Sequence, residues 1–223
     1  MKLVIFDCDG TIVDSQNVIV MSMREAFERN GLEAPTRAET LAIVGLSLPE
    51  AFAALAPEQP ETMRAKLAAS YRQAWMGLRD RDELHEPLFP GAREAITALS
   101  AREDHVLGIA TGKSMRGVQR LFKREAFEGL FSTLQTSDGH PSKPHPAMIE
   151  AAMRESGVDA AQTVMLGDTT FDIEMARNAG VASIAVAWGY HPVDWLTRAG
   201  ANKVVTGYAE LLPAIDALLT VDA

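Results

Sequence analysis

The sequence predicts an α/β fold: a doubly wound parallel β-sheet with an α-helical unit inserted after its first strand. Three observations lead there. Short apolar runs end abruptly in polar or small residues, helix-sized segments alternate with most of them, and residues 15–86 break the alternation with helical pattern alone. Strand and helix in alternation build a parallel sheet through crossover helices.

The elements follow in order. Leu3-Val4-Ile5-Phe6 and the runs at 106–110, 164–166, 184–186 and 204–205 are too short for typical helices. Their continuous apolar character suits strands covered on both faces. Helices are expected over 92–101, 115–124, 147–156 and 171–179. Ser114 can cap one of them, Pro146 suits a first turn, and Gly157 and Gly180 follow helix ends. Within the insertion, residues 15–30 are amphipathic and stop at Gly31, while Thr36 with Glu39 and Ser47 with Glu50 each fit a capping box. Pro57 and Pro60 separate a short helix from a longer one running towards Leu84, and Pro87 and Pro90-Gly91 mark the return. Residues 1–14 and 87–223 are therefore expected to form the core, and residues 15–86 the inserted unit.

Composition narrows the function. With 47% hydrophobic and 23% charged residues the chain is globular rather than disordered. A formal net charge of −9 argues against nucleic acid and anionic membranes as partners, so any phosphate chemistry needs positive charge gathered locally. Cys8 is the lone cysteine, which excludes an internal disulfide and a cysteine-based zinc cluster; it reads as a small apolar filler. No apolar run approaches the roughly 20 residues that span a bilayer. Only four apolar residues separate Met1-Lys2 from Asp7, too few for a secretory signal, so a cytoplasmic location is expected.

Ligands of open α/β sheets bind beyond the carboxyl ends of the strands, and four features fall at or near such ends. Asp7-Cys8-Asp9-Gly10-Thr11 follows the first run; alternation puts Asp7 and Asp9 on one side and turns Cys8 away. Two carboxylates this close repel unless a cation or proton shares the site. Gly10, with Thr11 after it, would let backbone N–H groups approach an anion. Thr111-Gly112 offers a hydroxyl and an N–H for a phosphate oxygen just before a helix start. Gly112-Lys113-Ser114 imitates the end of a P-loop, but that motif needs glycine at the position of Leu107 and finds it only at Gly108, so it is rejected. Lys143 lies between Ser142 and Pro144-His145-Pro146, a stiff loop that would aim its ammonium. Gly167-Asp168-Thr169-Thr170-Phe171-Asp172 adds two carboxylates of the oxygen-ligand type that suits Mg²⁺, although Asp172 could instead cap the helix behind it. His140, His145 and His191 read as ordinary loop histidines.

Together, Asp7 to Thr11, Thr111, Lys143 and Gly167 to Asp172 resemble the four motifs of the haloacid dehalogenase-like hydrolases in order and spacing. Asp9-Gly10-Thr11-Ile12-Val13-Asp14-Ser15 is similar to the phosphoglycolate phosphatase-like branch. The resemblance implies a Rossmann-like core with a helical cap at residues 15–86, and a Mg²⁺-dependent phosphatase acting on a small phosphorylated metabolite. It implies that Asp7 is the nucleophile that forms an aspartyl-phosphate, and that Asp9 is the general acid and then base. Thr111 and Lys143 would bind the transferring phosphoryl group. The metal would be held by Asp7, the backbone carbonyl of Asp9, and Asp168, with Asp172 either helping it or orienting Lys143. Gly45-Leu46-Ser47 interrupts the insertion where a loop could reach the site, and the resemblance points to it for substrate choice.

Three rivals remain open at this stage. Haloacid dehalogenases fit less well, because they lack an acid at the place of Asp9, and a leaving halide needs no proton. A β-phosphoglucomutase-like phosphomutase shares core and cap. A non-catalytic binding protein of the same fold would be favoured by loss of a motif residue, and every one is present.

Overall fold

Six strands form one sheet in the computed structural model, which describes residues 1–80 and 86–219. They are β1 (Lys2–Phe6), β2 (His105–Thr111), β3 (Thr133–Thr136), β4 (Thr163–Gly167), β5 (Ala182–Val186) and β6 (Lys203–Val205). Every neighbouring pair is parallel, in the order β3-β2-β1-β4-β5-β6. From β1 the chain winds first one way and then the other, so the direction reverses between β1 and β4. That is where an open α/β sheet leaves a crevice for ligands.

The predicted strands appear within two residues of their expected ends. β3 was not anticipated, for a physical reason: Thr-Leu-Gln-Thr holds one apolar residue, and as an edge strand it pairs with β2 alone. Helices α5 (Ala92–Ser100), α6 (Met115–Glu125), α7 (Ala147–Ser156) and α8 (Thr170–Asn178) match expectation, and α9 (Val193–Ala199) and α10 (Leu211–Leu218) are additional. Alternation along β1 divides the core. Val4 and Phe6 face a cluster with residues of α5, α6 and α10, while Leu3 and Ile5 face one with residues of α7 and α8. Cys8 lies in the first cluster, fully buried, as its filler role required.

Residues 16–80 contain four helices and no strand: α1 (Gln16–Arg29), α2 (Arg37–Leu41), α3 (Leu48–Leu55) and α4 (Glu61–Asp80). Met23, Phe27, Phe52 and Leu67 from three of these helices make a separate apolar cluster, with α1 packed along α4. The expected extension of the last helix towards Leu84 lies outside the described residues. The Thr36–Glu39 capping box is formed, with Glu39 N–H donating to Thr36 Oγ1 at 3.2 Å and Thr36 N–H to Glu39 Oε2 at 2.8 Å. The box expected at Ser47 and Glu50 is not: Ser47 begins α3, but its side chain makes no capping bond. No helix among the described residues is long and apolar enough to cross a membrane.

Candidate active site

Asp7 is the first residue past β1, held in place by its N–H bond to the Leu166 carbonyl at 2.9 Å. Its carboxyl group is buried and receives no well-aligned hydrogen bond at either oxygen. The Lys143 ammonium, also buried, lies 3.0 Å from Asp7 Oδ1 and 2.6 Å from Asp172 Oδ1. Lys143 is therefore not a solvated surface lysine. Burial opposes its charge, but Asp172 and Asp7 outweigh burial and raise its pKa above the ordinary value.

Asp168 follows β4, fully buried. Its Oδ1 accepts from Thr11 Oγ1 at 3.1 Å and its Oδ2 from the Tyr190 N–H at 2.8 Å. Asp172, in the first turn of α8, does two things at once. Its Oδ2 accepts from the Thr169 N–H at 3.0 Å and from the Thr169 hydroxyl at 2.7 Å, while its Oδ1 takes Lys143. The two readings of Asp172, helix cap and partner of Lys143, thus hold together.

Asp7, Asp168 and Asp172 bring ligand oxygens within 4.8 Å of one another. Burial raises the Asp7 carboxyl to about 6; Lys143 opposes the rise, and Asp172 and Asp9 add to it. Asp168 is raised well above the carboxylate range by burial, then by Asp172 and Asp7. Three buried carboxylates lie against the Lys143 ammonium, more negative charge than it offsets when all are ionised, and Asp7 keeps uncommitted lone pairs. This donor set fits a small divalent cation with oxygen preference. The Asp9 carboxylate does not join the group, so the metal role implied for Asp9 rests on its backbone carbonyl alone.

Gly10 and Thr11 correct the expected reading of the first loop. The Gly10 N–H donates to the Val13 carbonyl at 2.9 Å, and the Thr11 N–H to the Cys8 carbonyl at 3.3 Å, so both are spent inside the loop rather than on an anion. Glycine is required at position 10 because its φ is +80° and a Cβ there would lie 2.1 Å from Asp168 Oδ2. Thr11 is anchored from the other side, its carbonyl accepting from Trp188 Nε1 at 3.1 Å and Tyr208 Oη at 2.8 Å. Both residues shape the seat of Asp168.

Thr111 ends β2 beside Asp7, its hydroxyl accepting from the Lys113 N–H at 3.2 Å. At Gly112 a Cβ would meet the Gly45 carbonyl at 2.6 Å, so the insertion's loop rests directly on this turn. The same loop binds the core twice more. Ser47 N–H donates to Ser142 Oγ at 2.8 Å, and His191 Nε2 donates to the Ala42 carbonyl at 3.2 Å while its Nδ1 accepts from Thr170 N–H at 3.1 Å. His191, read as an ordinary loop residue, is thus a buried tie between core and insertion. A cleft of about 690 Å³ opens between α3 and the Lys143 loop, with Leu46, Glu50, Ser142 and His145 in its wall.

Asp9 faces another network. Its Oδ1 accepts from Ser15 Oγ at 2.6 Å and from Lys113 Nζ at 2.9 Å; Lys113 also reaches Glu86 Oε1 at 3.4 Å. Sequence reasoning missed Lys113, Glu86, Ser15 and Tyr190. Lys113 stands two residues after Thr111, in the bend that follows β2.

The comparisons agree with this geometry. The model of the haloacid dehalogenase-like hydrolase family matches residues 4–186. The chain is 35% identical to the probable phosphatase IndB of Dickeya dadantii, over 97% of this chain and 94% of that protein. It is 29% identical to the pyrophosphatase PpaX of Halalkalibacterium halodurans, over 96% and 97%. A hydrolase from Pseudomonas syringae shares the fold with a TM-score of 0.85 at 24% identity, over 97% of this chain and 99% of that one. Motifs, fold and relatives converge, and the chain belongs to the haloacid dehalogenase-like hydrolase family.

Proposed function

We propose that this protein is a Mg²⁺-dependent phosphatase that hydrolyses a small phosphorylated metabolite through an aspartyl-phosphate on Asp7. The observation that carries the reading is the buried Asp7 carboxylate at a strand end, with the Lys143 ammonium 3.0 Å away. Asp7 forms a bond to phosphorus as the bond to the leaving oxygen breaks, and Asp9 gives that oxygen its proton. In the second step Asp9 takes a proton from water, the water oxygen attacks phosphorus, and Asp7 leaves as carboxylate with release of phosphate. Lys143 and the Thr111 hydroxyl hold the phosphoryl oxygens on which charge accumulates, the kind of contact that contributes about 3–4 kcal/mol when preorganised. Asp7, the Asp9 carbonyl and Asp168 would hold Mg²⁺, with Asp172 adjacent and tied to Lys143. Bound there, Mg²⁺ would supply positive charge that offsets the repulsion between the phosphoryl group and the carboxylates.

The test is phosphate release from a panel of phosphorylated metabolites. Activity should fall at least about 10²-fold in excess chelator and return with Mg²⁺. Undiminished turnover in chelator would sink the metal-dependent reading. Phosphoryl transfer to a sugar phosphate faster than to water would move the assignment to a phosphomutase.

Substrate choice is assigned to the loop Gly45-Leu46-Ser47, which the core holds at Gly112 and Ser142. Gly45 itself is a poor probe, since its φ of +100° strains any side chain placed there. Leu46 borders the cleft beside Lys143 and is the better one. Leu46→Ala should shift kcat/KM between esters of different leaving groups by about 10-fold, the scale of a changed apolar contact. Hydrolysis of the smallest ester should change less than about 3-fold. Equal losses on every ester would mean that the loop acts only as structure.

A further inference from the structure

Lys113, Asp9 and Glu86 form a charged network beside the carboxylate cluster, and Lys113 and Glu86 belong to none of the motifs assigned above. All three side chains are largely buried, with 13%, 15% and 8% of their surface exposed. Lys113 Nζ and Ser15 Oγ both donate to Asp9 Oδ1, and no donor among the described residues reaches Asp9 Oδ2. The carboxylate is pinned by one oxygen and left open at the other. Glu86, the second partner of Lys113, is itself fixed. Its backbone carbonyl accepts from Arg124 Nη2 at 2.6 Å, and Arg124 Nη1 lies 3.5 Å from Glu86 Oε2. Lys113 is thus held between two anchored carboxylates.

We propose that Lys113 is a positioning residue for Asp9, fixing Oδ1 so that Oδ2 meets the leaving oxygen and later the water. The inference rests on the reading of Asp9 as acid and base. Lys113 has a competing use as a binding site for an anionic leaving group, and the geometry disfavours it. An ammonium with two carboxylates within 3.4 Å, and little solvent access, presents no open face to a third anion. Burial opposes its charge, but Asp9 and Glu86 more than offset burial, so Lys113 stays protonated.

A positioning residue acts only through its partner, and a double-mutant cycle detects that. Single-turnover formation of the phosphoenzyme would be followed for the wild type, Asp9→Asn, Lys113→Met and the double variant, all with saturating Mg²⁺. Two probes are used: glycerol phosphate, whose alkoxide leaving group needs a proton, and p-nitrophenyl phosphate, whose leaving group does not. Lys113→Met should slow the alkyl ester by about 10–100-fold, the scale of a misplaced catalytic group. It should slow the aryl ester less than about 3-fold, and in the Asp9→Asn background it should add less than about 2-fold. Lys113→Arg keeps the charge but moves the donor, and should show the same selectivity with a loss of about 3–10-fold. That variant decides the matter if Lys113→Met does not fold. Equal slowing of both esters, losses that multiply with Asp9→Asn, or no slowing in either Lys113 variant would overturn the proposal. Failure of the underlying reading looks different: the wild type would form no phosphoenzyme, or Asp9→Asn would show no dependence on the leaving group, and the inference would fall with it.

Discussion

Asp7→Asn is expected to reduce turnover by at least about 10⁴-fold while leaving the protein folded. The amide occupies nearly the same space, but it cannot attack phosphorus, so no aspartyl-phosphate forms. Its effect on stability should run the other way. Burial, Asp172 and Asp9 raise the Asp7 carboxyl to about 6, which marks an anion the folded protein holds at a cost. In the presence of chelator at pH 7–8 the variant should melt no lower than the wild type, and Mg²⁺ should raise its Tm less. Thermal melts with and without Mg²⁺, beside mass spectrometry for a covalent phosphate, check both halves. Wild-type turnover, or a phosphoryl group trapped on another residue, would remove Asp7 from the nucleophile's role.

Lys143→Met should have the opposite signature, losing activity and stability together. The ammonium contacts Asp7 and Asp172, and all three groups are shut off from solvent. Removing the Lys143 ammonium leaves Asp7, Asp168 and Asp172 facing one another, and breaking a buried pair from one side costs about 3–5 kcal/mol. On the proposed function Mg²⁺ would bind the folded form selectively, and it should restore part of that loss. Activity should remain at least about 10²-fold down even in saturating Mg²⁺, because the phosphoryl oxygens lose their charged donor. Denaturant titrations in chelator and in Mg²⁺ read the stability. A Lys143→Met protein as stable as the wild type in chelator would show that the cluster relieves its charge in another way.

The two variants probe positions that differed in how readily the sequence exposed them. Asp7 and Asp168 each stand where an apolar run stops. A strand covered on both faces stays apolar to its end, so the first carboxylate beyond it marks the rim of the sheet. Lys143 gave no such sign, because β3 before it is a polar edge strand. The two prolines after it and its place among the other motifs singled it out. Gly10 was legible as a special position, but the reason differs: it clears space for the Asp168 side chain rather than offering an N–H.

By itself, then, the sequence determined five of the six strands, the helical insertion, and the strand ends that carry the carboxylates. These follow from local periodicity and from the need to bury apolar residues, and both are properties of neighbours along the chain. The tertiary structure alone decided how the charges pair. Asp9 turns to Ser15 and Lys113, Asp172 joins Lys143, and the loop at Gly45 settles on Gly112. Coulomb energies in a buried site change steeply with separation and exposure, and those are set by how distant loops fold together. No local pattern records them.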